Sequence, residues 1–289
     1  MTASKIPRPD GVETDEKKEE GKETKYFWLY IWSVCLFAIS IITSSLPWSH
    51  WAYTINTCPG YNCECILFGK SFYDQFAGGE TIFCKLTTLL QIPLFLTACF
   101  LSFYQGRRVL VIRRERNRIK GQKGDGEGNP LLLLKSRNGR VLKEGDVFVE
   151  EKEIEMEPPS RKLCITLVVI SSVCLLLVTS IYILHVVGYH WSCNEYRRML
   201  MHLLRASGNM AQILSERLEC TAIFSFMDYL QPKRKLYDPY DYERTYRINT
   251  GMSLFIAQMA LLKNVFVWIC ISYLNIKMLR KRIHYDRTQ

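Results

Sequence analysis

Four stretches of this 289-residue chain carry almost no charge, and each is long enough to cross a bilayer. Residues 26–46 (YFWLYIWSVCLFAISIITSSL) have no charged side chain, and 83–104 have only Lys85, near the start. Residues 163–187 have none, and 251–276 have only Lys263. About 20 apolar residues in a helix cover the ~30 Å of hydrocarbon in a membrane. A soluble domain rarely needs even one such run. The pattern predicts an all-α membrane protein, a bundle of four transmembrane helices.

The runs divide the chain into a polar tail (1–25), a first loop (47–82), a middle loop (105–162), a second loop (188–250) and a short end (277–289). The opening segment mixes Lys with Glu and Asp and has no apolar core of the signal-peptide kind. It reads as a disordered tail, with the first run as an uncleaved signal anchor. Lys and Arg set the orientation. Residues 107–123 hold eight basic side chains against Glu115, and 277–289 hold five against Asp286. The first loop offers only Lys70 and Lys85 at the edge of the second run. The second loop has nine basic residues, but it is long and carries seven acids, so it weighs little. Both termini and the middle loop are predicted to be cytoplasmic. The net charge of +10 then reflects topology and gives no reason to expect a nucleic-acid partner.

This topology sorts the eleven cysteines. Cys58, Cys63, Cys65, Cys84, Cys193 and Cys220 fall on the outer side, where the secretory lumen oxidises thiols. The other five, Cys35, Cys99, Cys164, Cys174 and Cys270, lie in or at the edges of the runs. "CPGYNCEC" (58–65) could suggest zinc, but His50 is the only local fourth ligand. A CxC redox motif would want a thioredoxin-like context that is absent here. Disulfides are the favoured reading, and no metal is predicted. Six cysteines allow 15 pairings. Cys193 with Cys220 would staple the helical segment between them onto the membrane. Cys84 would take Cys65 or Cys63, and Cys58 the one left over. Cys63 with Cys65 would close a strained ring.

Cys65-Ile-Leu-Phe, a lone Cys84 opening the second helix, "WSCNE" after the third helix, Cys220, and "FIAQ" at the start of the fourth together resemble the transmembrane protein 179 family. The resemblance covers the two outer-loop frames and the helix layout. It implies a four-helix membrane protein with one cysteine pair in each outer loop, Cys65–Cys84 and Cys193–Cys220. Cys58 and Cys63 depart from the pattern and would form an extra bridge. The second outer loop and the middle loop also look longer than the family implies. Trp48, Trp51, Cys58 and Cys63 give a fainter likeness to claudin-type tetraspans, without their Gly-Leu-Trp element.

Several segments are candidates for contact. In the second outer loop, Leu200, Leu203 and Leu204 and then Ile213, Leu214 and Leu218 follow helical spacing on either side of Ser207-Gly208-Asn209. They predict two short amphipathic helices over the bundle. Tyr229, Tyr237, Tyr240, Tyr242 and Tyr246 stand among Arg, Lys and Asp, a composition shared by protein-binding surfaces and interfacial aromatic belts. Arg107, Arg108, Arg113, Arg114, Arg116 and Arg118 would extend the second helix against anionic inner-leaflet lipid. Asn138-Gly139 between apolar runs predicts a small β-hairpin in the middle loop. Glu127, Leu131 and Leu132 fit the acidic-dileucine spacing that clathrin adaptors read, which would route the protein through endosomes as well as the plasma membrane. The favoured alternative is that Leu131 and Leu132 simply start the hairpin strand. Cys164 is a candidate for palmitoylation or a packed thiol.

Lys263 is the one charge deep inside a run, with Gln258 and Asn264 nearby. A charge there costs roughly 2.5–3.5 kcal/mol on insertion scales. No run contains Asp or Glu, so its partner must be an amide such as Gln91, backbone carbonyls freed at Pro93, water, or an acid on another protein. Ser33, Ser40 and Ser44 share one face of the first helix, as small residues do where helices pack. The five histidines (His50, His185, His190, His202 and His284) do not cluster at ligand spacing, and no catalytic or cofactor motif emerges. The expected function is non-enzymatic: an accessory or adaptor subunit that binds another membrane or extracellular protein through its outer loops. The competing expectations are a channel-forming subunit of the gap-junction type and a claudin-like junction protein.

Overall fold

A computed structural model describes residues 12–51, 64–72, 75–124, 160–230 and 248–288. Its elements are α1 (Val12–Trp51), β1 (Cys65–Phe72), β2 (Gln75–Gly79), α2 (Thr81–Leu89), α3 (Gln91–Gly124), α4 (Arg161–Leu203), α5 (Asn209–Gln212), α6 (Cys220–Leu230) and α7 (Thr250–Thr288). A single π turn, Ile213–Arg217, follows α5. Four helical stretches are long and apolar enough to cross a membrane: Thr24–Trp51, Thr81–Val111, Arg161–Leu203 and Thr250–His284. The chain has the helices of a multi-pass membrane protein.

The helices outrun the four uncharged sequence runs at both ends. α1 starts at Val12, inside the segment expected to be a disordered tail. That stretch is rich in Glu and Lys, strong helix formers, and Glu13 stands four residues before Lys17 in the favourable order. The second stretch is broken at Leu90, three residues before Pro93. Proline donates no N–H and crowds the carbonyl four residues earlier, so the ladder falters there. α4 runs unbroken for 43 residues, about 65 Å, roughly twice the ~30 Å hydrocarbon thickness. Its last four turns were expected to be a separate amphipathic helix. They continue the span because nothing in "VVGYHWSCNEYRRMLMHL" breaks the ladder. The chain turns only at Arg205 and Gly208, both with positive φ (47° and 53°).

α7 packs between α1 and α4, while α3 leans on α1 and scarcely touches α4. Three contacts set α1 antiparallel to α7. The Tyr26 hydroxyl donates to the Leu274 carbonyl (3.3 Å), Ser33 Oγ to Asn264 Oδ1 (2.9 Å) and the Trp51 indole to Thr250 Oγ1 (2.7 Å). Ser272 Oγ donating to the Ser171 carbonyl (3.3 Å) and Asn275 Nδ2 to the Leu167 carbonyl (3.5 Å) set α4 antiparallel to α7. Four antiparallel passes bring the start of α1 and the end of α7 to the side that carries Arg107 and Lys277. The hairpin and the disulfides lie at the other end.

That other end is a folded cap. β1 and β2 pair antiparallel, with Lys70 opposite Ala77 and Ser71 opposite Phe76, and an irregularity lies between Cys65 and Lys70. Within it Phe68 takes a left-handed conformation (φ 59°) and stacks on Phe83 with ring centroids 4.4 Å apart. The hairpin is pinned to α4. Gly69 N–H donates to Ser192 Oγ (2.9 Å), Ser192 Oγ donates to the Ile66 carbonyl (2.7 Å), and Ser71 Oγ donates to the Glu195 carboxylate (2.8 Å). Trp51, Ile66, Phe76, Tyr196, Phe224 and Leu254 fill a core beneath it. A second core, with Phe37, Val178, Leu261 and Trp268, fills the bundle.

Candidate functional site

Of the six cysteines expected on the outer side, Cys65 is bonded to Cys84 and Cys193 to Cys220. These are the two pairs that the family resemblance implied, and they resolve the choice left open for Cys84. The first ties β1 to α2, the second α4 to α6. Cys58 and Cys63, with their expected extra bridge, lie outside the described residues. Cys35 and Cys270 are exposed thiols, Cys99 is half-buried, and Cys164 and Cys174 are buried. The burial of Cys164 fits the packed-thiol reading and leaves no surface for palmitoylation. Among the described residues, no group of three or more His, Cys, Asp or Glu could hold a metal.

The polar residues flagged in the spans separate into two environments. Gln91, Gln258 and Asn264 are buried, whereas Lys263 is exposed on the outside of the bundle. The reading in which Gln91 and carbonyls near Pro93 satisfy a buried Lys263 is therefore wrong. Gln91 turns inward and donates its amide to the Thr87 carbonyl, and Lys263 points away from the core. The two α7 neighbours diverge because one helical step is about 100° of rotation.

Ser33, Ser40 and Ser44 are buried, as their shared packing face implied, but sequence reasoning missed Ser171, His185 and Ser272, which are buried with them and the amides. The register of α1 and α7 brings Ser40 to the level of Gln258, and that of α4 and α7 brings His185 to the same level. Phe27 lies against Gly106 while Trp51 shares the cap core with Cys84, so the second span runs antiparallel to α1 and Gln91 stands opposite residues 40–44. At this one depth Ser40 Oγ, Gln91 Oε1, both ring nitrogens of His185 and Gln258 Nε2 are buried without a hydrogen-bond partner. Buried polar atoms are normally satisfied, and each exception costs free energy. The recurrence of Gln258, Asn264, Ser272 and Asn275 at intervals of 6, 8 and 3, the last two close to whole helical turns, was the available signal. His185 carried none, since an isolated histidine in an apolar run has no visible neighbours in sequence.

At the cap, α7 begins under two acceptors. Asn249 Oδ1 accepts from Met252 N–H (2.9 Å), and Asp228 Oδ2 of α6 accepts from Thr250 N–H (2.8 Å). Burial pushes the Asp228 carboxyl above its ordinary range, and the hydrogen bonds from Thr250 and the proximity of His50 only partly offset this. Beyond the cap, Leu203, Leu204, Met210 and Ile213 are exposed, while Leu200 is fully buried. The leucines expected to share one face are divided by it.

At the opposite end, Arg107, Arg113 and Arg114 are exposed and Arg108 is half-buried, with the Arg107 guanidinium 5.9 Å from the Phe103 ring centroid. Arg116 and Arg118 lie on α3 with side chains outside the described set. Tyr237, Tyr240, Tyr242, Tyr246, Glu127, Leu131, Leu132 and the expected Asn138-Gly139 hairpin lie outside the described residues, as does the Tyr229 side chain. No protein-family model matches the chain, and neither a curated protein nor a solved structure matches it.

Proposed function

We propose that this chain is a non-enzymatic accessory subunit that grips another membrane or extracellular protein through its disulfide-stapled cap. One observation carries the reading: the cap holds exposed apolar side chains well clear of the bundle. Trp191 is half exposed on α4, where an interfacial aromatic belt would sit. From Trp191 to Leu203 the helix rises about 18 Å. Leu203 and Leu204 are 47% and 53% exposed at that height, beyond the reach of lipid tails, and Met210 and Ile213 after the turn are 59% and 49% exposed. Apolar clusters in such a place mark contact surfaces. Two bridges and a packed core hold the support rigid, which lowers the cost of ordering a binding surface.

The proposal includes the orientation. The basic end, with Arg107 and Lys277, faces the cytoplasm against anionic lipid, and the cap faces the lumen or the cell exterior. Residence at the plasma membrane or in endosomes and kinship with the transmembrane protein 179 family belong to the same reading. The acidic-dileucine segment would then lie within reach of clathrin adaptors. Affinity purification from mild detergent tests the role. Recovery of a stoichiometric membrane partner, lost in Leu204→Glu, supports it; a clean single species with no partner contradicts it.

A further inference from the structure

We propose that the outward face of α7 is a docking seam for one transmembrane helix of a different protein, and that this helix carries Asp or Glu near its middle to pair with Lys263. The inference rests on the accessory-subunit reading and names the chemistry of its partner. Ile256, Met259, Lys263, Phe266, Cys270 and Tyr273 are all exposed, and their spacing is 3, 4, 3, 4, 3. A 3.5-residue repeat is what two left-handed crossing helices need to stay in register. The opposite side of α7 uses the same repeat, through Leu254, Leu261, Asn264 and Trp268, to pack inside its own bundle.

Lys263 decides the occupant. It stands 13 residues from Thr250 and 14 from Lys277, about 20 Å from each along the helix. Half of the hydrocarbon is about 15 Å, so a four-carbon stem does not bring the ammonium to either headgroup layer. A lipid phosphate is therefore not its partner. A second copy of this chain is excluded as well, since none of the four uncharged runs contains Asp or Glu. A symmetric contact would set Lys263 against Lys263. Intramembrane cations pair with acids or with freed backbone carbonyls, and on this outward helical face an acid has to come from another chain. Beside the seam, toward the basic end, Trp28 and Trp32 of α1 and Cys270 and Tyr273 of α7 line a groove of about 480 Å³ with Lys25 at its edge. It gives the partner helix a second point of support, two turns from Lys263.

The test is co-expression of the full chain with a tagged, leucine-rich model span that carries one central Asp, compared with the same span carrying Leu. The full chain should retain the Asp span about fivefold or more over the Leu span, by co-purification and by energy transfer in intact membranes. Lys263→Leu should abolish the difference while leaving both disulfides and the melting temperature unchanged, because the side chain is exposed. Lys263→Asp should prefer a Lys-bearing span. Equal retention of both spans by the wild-type chain overturns the seam. A native partner held equally well by Lys263→Leu overturns it too, yet leaves the accessory role standing. Recovery of no native partner overturns that role, and the seam with it.

Discussion

Lys263 and Asn264 are adjacent and meet opposite surroundings, one exposed and the other buried against Ser33. The sequence made both conspicuous, because polar groups stand out in an apolar run. It did not say which faced inward, because helix phase is set by neighbours remote in sequence. Ser33→Ala should cost about 0.6 kcal/mol, and no more than about 1.7, by thermal unfolding in detergent, the range of single interhelical hydrogen bonds. Asn264→Leu should cost no more than that, because it also removes the unpartnered Nδ2. Asp228 supplies a pH signature. Its folded pKa is raised, so the folded state holds the proton more tightly than the unfolded chain does. The resulting stability is lost as pH rises through the raised value and is fully present below the ordinary 3.8. Wild type should therefore gain melting temperature relative to Asp228→Asn on acidification from pH 7 to 4. A constant difference between the two would contradict the burial argument.

At the scale of elements, the spans were legible and the cap was not. Charge-free length alone locates four helices. The hairpin was hidden because "CILFGKSF" and "QFAGG" have little period-2 alternation, and their pairing depends on α4 as a platform. Gly188 shows how close that platform lies. A Cβ there would stand 2.7 Å from the Phe68 ring and 3.0 Å from Leu67 Cβ. Gly188→Val should lift the hairpin at a cost of about 1–3 kcal/mol, seen as faster proteolysis of the first loop with the spans intact. The bridges close separations of 19 and 27 residues, so losing either should cost about 3–4 kcal/mol in the chain-entropy account. Cys220→Ser should loosen α6 and, through Asp228, the start of α7. Cys65→Ser should loosen the hairpin alone. Hydrogen exchange on the two variants separates these effects.

For the whole molecule, Lys and Arg asymmetry proposes an orientation, and the four antiparallel passes put the start of α1 and the end of α7 on one side. Neither says what the protein binds. A polar interior with unpartnered atoms on Gln91, His185 and Gln258, an exposed Lys263 and an apolar projection at Leu203–Leu204 emerge only once helix faces are assigned. The two surfaces point to one mode of action, in which a partner is held in the membrane by α7 and above it by the cap. Native mass measurement of the complex released in mild detergent addresses this most directly. The account predicts one 33.8 kDa chain with one different membrane protein, and the 33.8 kDa chain alone after Lys263→Leu. A single chain in both preparations, or a ring of six or more identical copies, would contradict it.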